Sequence, residues 1–290
     1  MRIVYIVGDG RSGSTVLESI LSNIEGAISV GECFRFWERF YKNETLCGCG
    51  VAMADCAMWS KVHSDLSKLI LDYDPAEIQS RLKKFILFRN FRNIRRGDEN
   101  TEFFLSLAGN FYQSIVRHSG SQLILDSSKS PSWARLLLLL PGFDVKVIHL
   151  ERALPGVASS WKKKIVLPEF IKKEVFMPQK TNLSILRTWL RVKWLSSRLS
   201  DSRLLFVRFE RFCNDQKQGL RRIFKFLELP EIKSEFLYRT NHGIAGNPLR
   251  MSGAGKVEIH PIKKGRPKNI SIFEFQFFRF VDAVANILVK

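Results

Sequence analysis

Long apolar runs, cysteine and flexible linkers are all scarce in this sequence, and acidic residues fall well short of basic ones. No stretch approaches the ~18 uninterrupted apolar residues of a membrane span, and the five-leucine run at 136–140 reads as part of a buried helix. The apolar run near the start, 3–7, is broken by Gly8 and Asp9, which makes it too short for the core of a secretory signal. A cytoplasmic location is therefore expected. Cysteine occurs five times, with Cys47, Cys49 and Cys56 close together and Cys33 and Cys213 apart. A Cys-x-Cys pair departs from the two-to-four-residue gap of structural zinc sites, and no partner cluster completes four ligands. No metal is expected, and the thiols read as free or packed. The sequence also has no Pro/Gly/Ser-rich linker, low-complexity tract or internal repeat, so its 290 residues read as a single domain.

Basic residues number 46 against 28 acidic, for a formal net charge of +18. Such a field attracts polyanions: nucleic acid, anionic lipid, anionic glycan or a multiply charged nucleotide. No nucleic-acid recognition motif is present, and the basic residues are spread along the chain, so nucleic acid is not expected as a partner. The charge restricts the partner's sign and little else, since much of it also suits a solvated surface.

Residues 3–7 form a short β-branched run that ends in Gly8-Asp9-Gly10-Arg11-Ser12-Gly13-Ser14-Thr15. Apolar residues then recur at 16, 17, 20, 21 and 24, with helical spacing. The segment reads as strand, glycine loop and helix, and a helix N-terminus in that setting suits a phosphate. Against the triphosphate loop G-x-x-x-x-G-K-[ST] it matches at Gly8, Gly13 and Thr15 but has Ser14 at the lysine position. A kinase or ATPase needs that lysine at the β- and γ-phosphates. Here the cation lies within the loop as Arg11, whose planar fork grips anionic oxygens in pairs. A second buried-strand pattern, 144–150, runs into Glu151 and Arg152, with Pro155 near the first turn of a helix that carries Ser160. Ligands of open α/β sheets gather at such carboxyl ends, and an arginine with a serine there can hold a second phosphate.

Together these two segments resemble the 5′-phosphosulfate and 3′-phosphate binding segments of sulfotransferases that use 3′-phosphoadenosine 5′-phosphosulfate (PAPS). The likeness to the bacterial branch extends in order through Val30-Gly31-Glu32, Cys47 to Cys56 with Trp59, Asp126 to Pro131, Arg208-Phe209-Glu210, 220–227 and Gly246 to Arg250. The resemblance implies that Arg11, Ser12, Gly13, Ser14 and Thr15 hold the 5′-phosphosulfate and that Arg152 and Ser160 hold the 3′-phosphate. It also implies that Arg250 lies on a late basic loop over the cofactor. One departure is Leu154, where the family usually carries an acid. Transfer would leave adenosine 3′,5′-bisphosphate and require no metal. Glu32, after the apolar run 27–30, is the candidate general base, and Lys129 is the candidate donor to the developing charge. Asp126 would orient Lys129 or serve as an alternative base. His149 reads as a hydrogen-bonded core histidine, and His242 is not assigned a role.

Strand patterns at 2–7, 27–31, 122–126, 145–150 and 203–208 alternate with helical stretches at 14–24, 56–71, 75–95, 101–118, 131–139, 155–163, 183–199 and 215–227. This alternation predicts a P-loop-like three-layer α/β/α sandwich around a central, mostly parallel sheet. The helical insertion 60–118 is expected to shape an acceptor pocket, and 162–182 to form a flexible lid or acceptor-contact loop. The C-terminal helix within 270–290 is expected to pack on the core, with contact to an anionic membrane as the alternative. The expected function is sulfuryl transfer to a hydroxyl or amine of a small-molecule, glycan or lipid acceptor. A phosphoryl-transfer enzyme and a non-catalytic anion-binding protein are the alternatives.

Overall fold

The computed structural model describes residues 1–42, 44–70, 74–199, 201–231, 235–239, 241–251, 255–262 and 265–289. Five strands form one sheet in the order β2-β3-β1-β4-β5: β1 (Arg2–Val7), β2 (Ala27–Gly31), β3 (Leu123–Lys129), β4 (Asp144–Glu151) and β5 (Leu204–Arg208). All four pairings are parallel, with Arg2 of β1 opposite Leu123 on one side and Asp144 on the other. The run Ile3 to Val7 is wholly buried, as expected of a central parallel strand covered on both faces. Alternate side chains divide between two cores. Ile3, Tyr5 and Val7 join one apolar cluster, and Val4 and Ile6 join the other. The sheet is thus the middle of three layers.

The helices are α1 (Ser14–Leu21), α2 (Phe36–Lys42), α3 (Ala57–Ser67), α4 (Pro75–Phe85), α5 (Glu99–Ser119), α6 (Pro131–Leu137), α7 (Leu154–Trp161), α8 (Asn182–Ser196), α9 (Phe209–Asn214), α10 (Gln216–Leu227) and α11 (Ile272–Leu288). Their starts are written locally. Asp74, Asp98, Ser130 and Ser271 each accept a backbone N–H of the first turn, a contact worth about 1 kcal/mol. The helix expected over 75–95 stops at Phe85, and 88–93 forms a separate 3₁₀ turn. Asn90 Nδ2 donates to the Lys84 carbonyl at 2.7 Å and so supplies a partner that the next helical turn would have provided.

The C-terminal helix packs on the apolar cluster shared by α7 and α8. It seats Phe278 and Ala285 beside Leu154, Val157 and Trp189, while Phe273 and Phe280 stay 84% and 67% exposed. Lys263 and Lys264, part of the basic stretch before it, lie outside the described residues. No helix among the described residues is long and apolar enough to cross a membrane.

Candidate functional site

The carboxyl ends of β1, β2, β3 and β4 bring the sequence-predicted residues to one place. Arg11, Gly13, Ser14, Thr15, Arg152 and Ser160 line a cavity of about 220 Å³, which Glu32 and Lys129 also line. Gly13 caps α1 in the left-handed region at φ 96°, and a Cβ placed there would stand 2.2 Å from the Phe209 ring. The Arg152 guanidinium lies 5.1 Å from the centre of that same ring. Phe209 therefore backs both anion-facing segments. Gly13→Ala is expected to cost about 1–3 kcal/mol of stability through overpacking and backbone strain, measurable by denaturant unfolding.

The guanidinium groups are unusually placed. Arg11 is buried, and among the described residues none of its three guanidinium nitrogens has a hydrogen-bond partner; the same holds for Ser12 Oγ, Arg152 Nε and Trp161 Nε1. Arg152 Nη1 donates to the Arg11 carbonyl at 3.0 Å. Burial, and then the Arg152 charge, lower the proton affinity of Arg11, with Glu32 opposing. A buried and a half-buried cation beside one cavity, with donors left over, favour an anion. Arg11 also takes a left-handed backbone, φ 72°, a conformation that non-glycine residues adopt mainly where the surroundings impose it. The Ala153 N–H donates to Glu210 Oε1 at 2.9 Å, which pins the turn carrying Arg152.

Glu32 and Lys129 stand between this cavity and a larger one of about 490 Å³, and they line both. Lys129 Nζ donates to Glu32 Oε1 at 2.5 Å, and Arg35 Nε donates to Glu32 Oε2 at 3.0 Å. Burial works against ionisation of Glu32, but the Lys129 and Arg35 charges and their hydrogen bonds outweigh it and hold the carboxyl at about 2. Lys129 is itself strained, with φ 70° at the last residue of β3.

Several expectations change. Asp126 does not orient Lys129. It is fully buried, and its oxygens accept from Ser128, Tyr112 at 2.5 Å and Cys33 at 3.0 Å. Arg250 is also buried, but its Nη1 donates to the Gly243 carbonyl at 2.6 Å and its Nη2 lies 3.5 Å from Glu169. Its neighbours Asn247 and Leu249 line the smaller cavity in its place. Among the described residues, the insertion 60–118 contributes none to the lining of the larger cavity, and α3 and α5 bury their aromatic faces against α2 through contacts such as Phe36 with Trp59 and Phe111. The walls come instead from 34–39 and from 167–180, where Leu167 N–H donates to the Val175 carbonyl at 2.7 Å. His149 is buried in β4 with its pKa lowered by burial to about 3, hence neutral. His242 is drawn away from the cavities to the Cys47, Cys49 and Cys56 cluster.

Sequence reasoning missed Asp9, although it lies inside the glycine loop. Its carboxylate is buried on the wall of the larger cavity without a well-formed hydrogen bond among the described residues. Burial raises its pKa to about 6 against the pull of Lys180. A raised acid keeps its proton in the folded chain where the unfolded chain has lost it, so stability is present below pH ~4 and falls as pH rises through ~6. Asp9→Asn is expected to gain on the order of 2 kcal/mol at pH 7 and little at pH 4, checked by unfolding at both values.

The sulfotransferase family profile matches residues 4–233. The chain belongs to the sulfotransferase family. No curated protein matches its sequence. Among solved structures, the sulfotransferase domain of the Synechococcus PCC 7002 olefin synthase is similar at 16% identity and TM-score 0.48, over 98% of this chain and 94% of that one. The sulfotransferase domain from the curacin biosynthetic pathway has the same identity and TM-score over 97% of each chain. A sulfotransferase from Mycobacterium avium is 13% identical at TM-score 0.43, over 80% of this chain and 65% of that one.

Proposed function

We propose that the protein transfers a sulfuryl group from PAPS to a hydroxyl or amine, with Glu32 as general base. The observation that carries this reading is the Glu32–Lys129 pair on the boundary between two cavities, one of them faced by Arg152 and by an Arg11 guanidinium with no hydrogen-bond partner among the described residues. Those donors fit a ligand with two separated anionic ends: Arg11 to Thr15 toward the 5′ end, Arg152 and Ser160 toward the 3′-phosphate. When bound, the donor supplies a sulfuryl group on a phosphate leaving group.

The protein's own residues do the rest. Arg11 and the N-terminal amides of α1 stabilise negative charge as it develops, and Glu32 takes the acceptor's proton. In the free protein Glu32 is a weak base, because Lys129 and Arg35 hold it. A Lys129 ammonium that turns to a new anion removes the largest opposing charge and strengthens the base where it is needed. The larger cavity carries Arg35, Arg39 and Lys180 beside Phe34, Phe170 and Phe176. This suits an acceptor with an anionic group next to the reacting hydroxyl or amine. Ser14 at the lysine position disfavours triphosphate chemistry. The test compares adenosine 3′,5′-bisphosphate with magnesium-ATP in a thermal-shift titration. Stabilisation by the first and not the second is expected, and the reverse would return the site to phosphoryl transfer.

A further inference from the structure

Cys47, Cys49 and Cys56 lie in one short stretch and His242 in a distant one, yet their four ligand atoms all lie within 4.8 Å of one another. Cys56 Sγ is 3.3 Å and Cys47 Sγ 3.6 Å from His242 Nδ1, and Cys49 Sγ is 3.8 Å from Cys56 Sγ. A tetrahedral zinc ion with bonds of ~2.3 Å to sulfur and ~2.0–2.1 Å to nitrogen has edges of about 3.8 Å between sulfurs and about 3.6 Å between sulfur and nitrogen. The three separations are close to those edges, and the remaining ones are within 4.8 Å. Cys47 and Cys56 are wholly buried, and the cysteines are free rather than disulfide-bonded. Thiols are weak hydrogen-bonding groups, so mutual hydrogen bonding is a poor reason to converge three of them on one imidazole nitrogen.

We infer that Cys47, Cys49, Cys56 and His242 form a structural zinc site. Binding converts three thiols to thiolates and releases three protons to solvent, while His242 coordinates through neutral Nδ1. Four protein ligands fill the coordination sphere, so the ion has no open position for substrate. Its effect is mechanical. The cluster ties the loop before α3 to the segment beginning at His242, and Trp59 Nε1 and Gly48 N–H fasten the same join by donating to the His242 and Gly243 carbonyls at 2.9 and 3.0 Å. That segment covers the tip of β2. Glu32 N–H donates to the Ile244 carbonyl at 2.8 Å, and Gly246 lines both cavities. The metal would therefore set the position of the backbone that carries Glu32. A Cys-x-Cys spacing hides this set, because the fourth ligand lies 186 residues beyond Cys56.

The inference is independent of the sulfuryl-transfer reading, and its test is read without activity. Untagged protein from zinc-supplemented medium is assayed for metal by mass spectrometry, and chelator-stripped protein is titrated with cobalt(II). One zinc per chain and the visible bands of tetrahedral, thiolate-bound cobalt are expected. Cys49→Ser and His242→Ala should lower the zinc content at least tenfold, whereas Cys213→Ser, in the opposite apolar cluster, should leave it unchanged. Folded wild-type protein that carries only traces of zinc and gives no cobalt bands overturns the site, as does a mass showing a disulfide among Cys47, Cys49 and Cys56. Should either ligand variant fail to fold, the wild-type metal content and cobalt spectrum still decide.

Discussion

Glu32→Gln is expected to lower turnover roughly 10²–10⁴-fold, the usual worth of a positioned general base, while adenosine 3′,5′-bisphosphate binds at least as tightly as before. The second half follows from the ion pair. Glutamine no longer neutralises the Lys129 ammonium that Glu32 holds at 2.5 Å, so the cavity becomes more positive toward an anionic ligand. A purely structural Glu32 would behave differently, losing stability and ligand affinity together. The pH dependence separates Glu32 from Asp9, both at the larger cavity. Because Glu32 sits at about 2 in the free protein, kcat/KM should run flat from neutrality down to about pH 4, since that parameter reports free-enzyme groups. An acid limb near pH 6 that vanishes in Asp9→Asn would assign proton acceptance to Asp9, whose carboxyl is raised to about 6.

Arg11→Ala should weaken adenosine 3′,5′-bisphosphate binding by on the order of a hundredfold or more, the cost of removing a buried charged donor from an anion. The same variant should be no less stable than the parent without ligand. The Arg11 guanidinium has no hydrogen-bond partner among the described residues, and its burial and the facing Arg152 charge offset its stacking on Trp161, whose ring centre is 5.3 Å away. In the parent, ligand at 100 times its Kd adds about 2.7 kcal/mol of stability, and this increment should disappear in the variant. Calorimetric titration together with ligand-dependent unfolding checks both halves. A variant that loses stability yet still binds would make Arg11 a packing residue and end the proposed cradle.

The two anion-facing segments were legible because each follows directly on a continuous apolar strand, and in a parallel sheet that adjacency places a side chain at the carboxyl edge. Strand boundaries came within a few residues for the same reason. Short helices were harder to see. In α2 the aromatic residues Phe36, Trp37, Phe40 and Tyr41 blur any apolar stripe, and the stop at Phe85 depends on the Asn90 side chain reaching back to Lys84. Whatever depends on distant contacts was invisible. Asp126 looked like a site residue until Tyr112 and Cys33 enclosed it. Arg250 looked like a loop cation until the Gly243 carbonyl accepted from it. Asp9 was in plain view, but only its burial makes it an unusual acid.

The central position of β1 has a consequence for biosynthesis. Of the five strands of this sheet, β1 is made before its two neighbours, which begin only at Leu123 and Asp144, so five consecutive apolar residues emerge before either partner. At ~5–20 residues per second, the ribosome needs about 6–24 s to deliver the first partner strand. During that interval β1 is an adhesive edge, and nascent chains crowded on one message face self-association before the sheet can close.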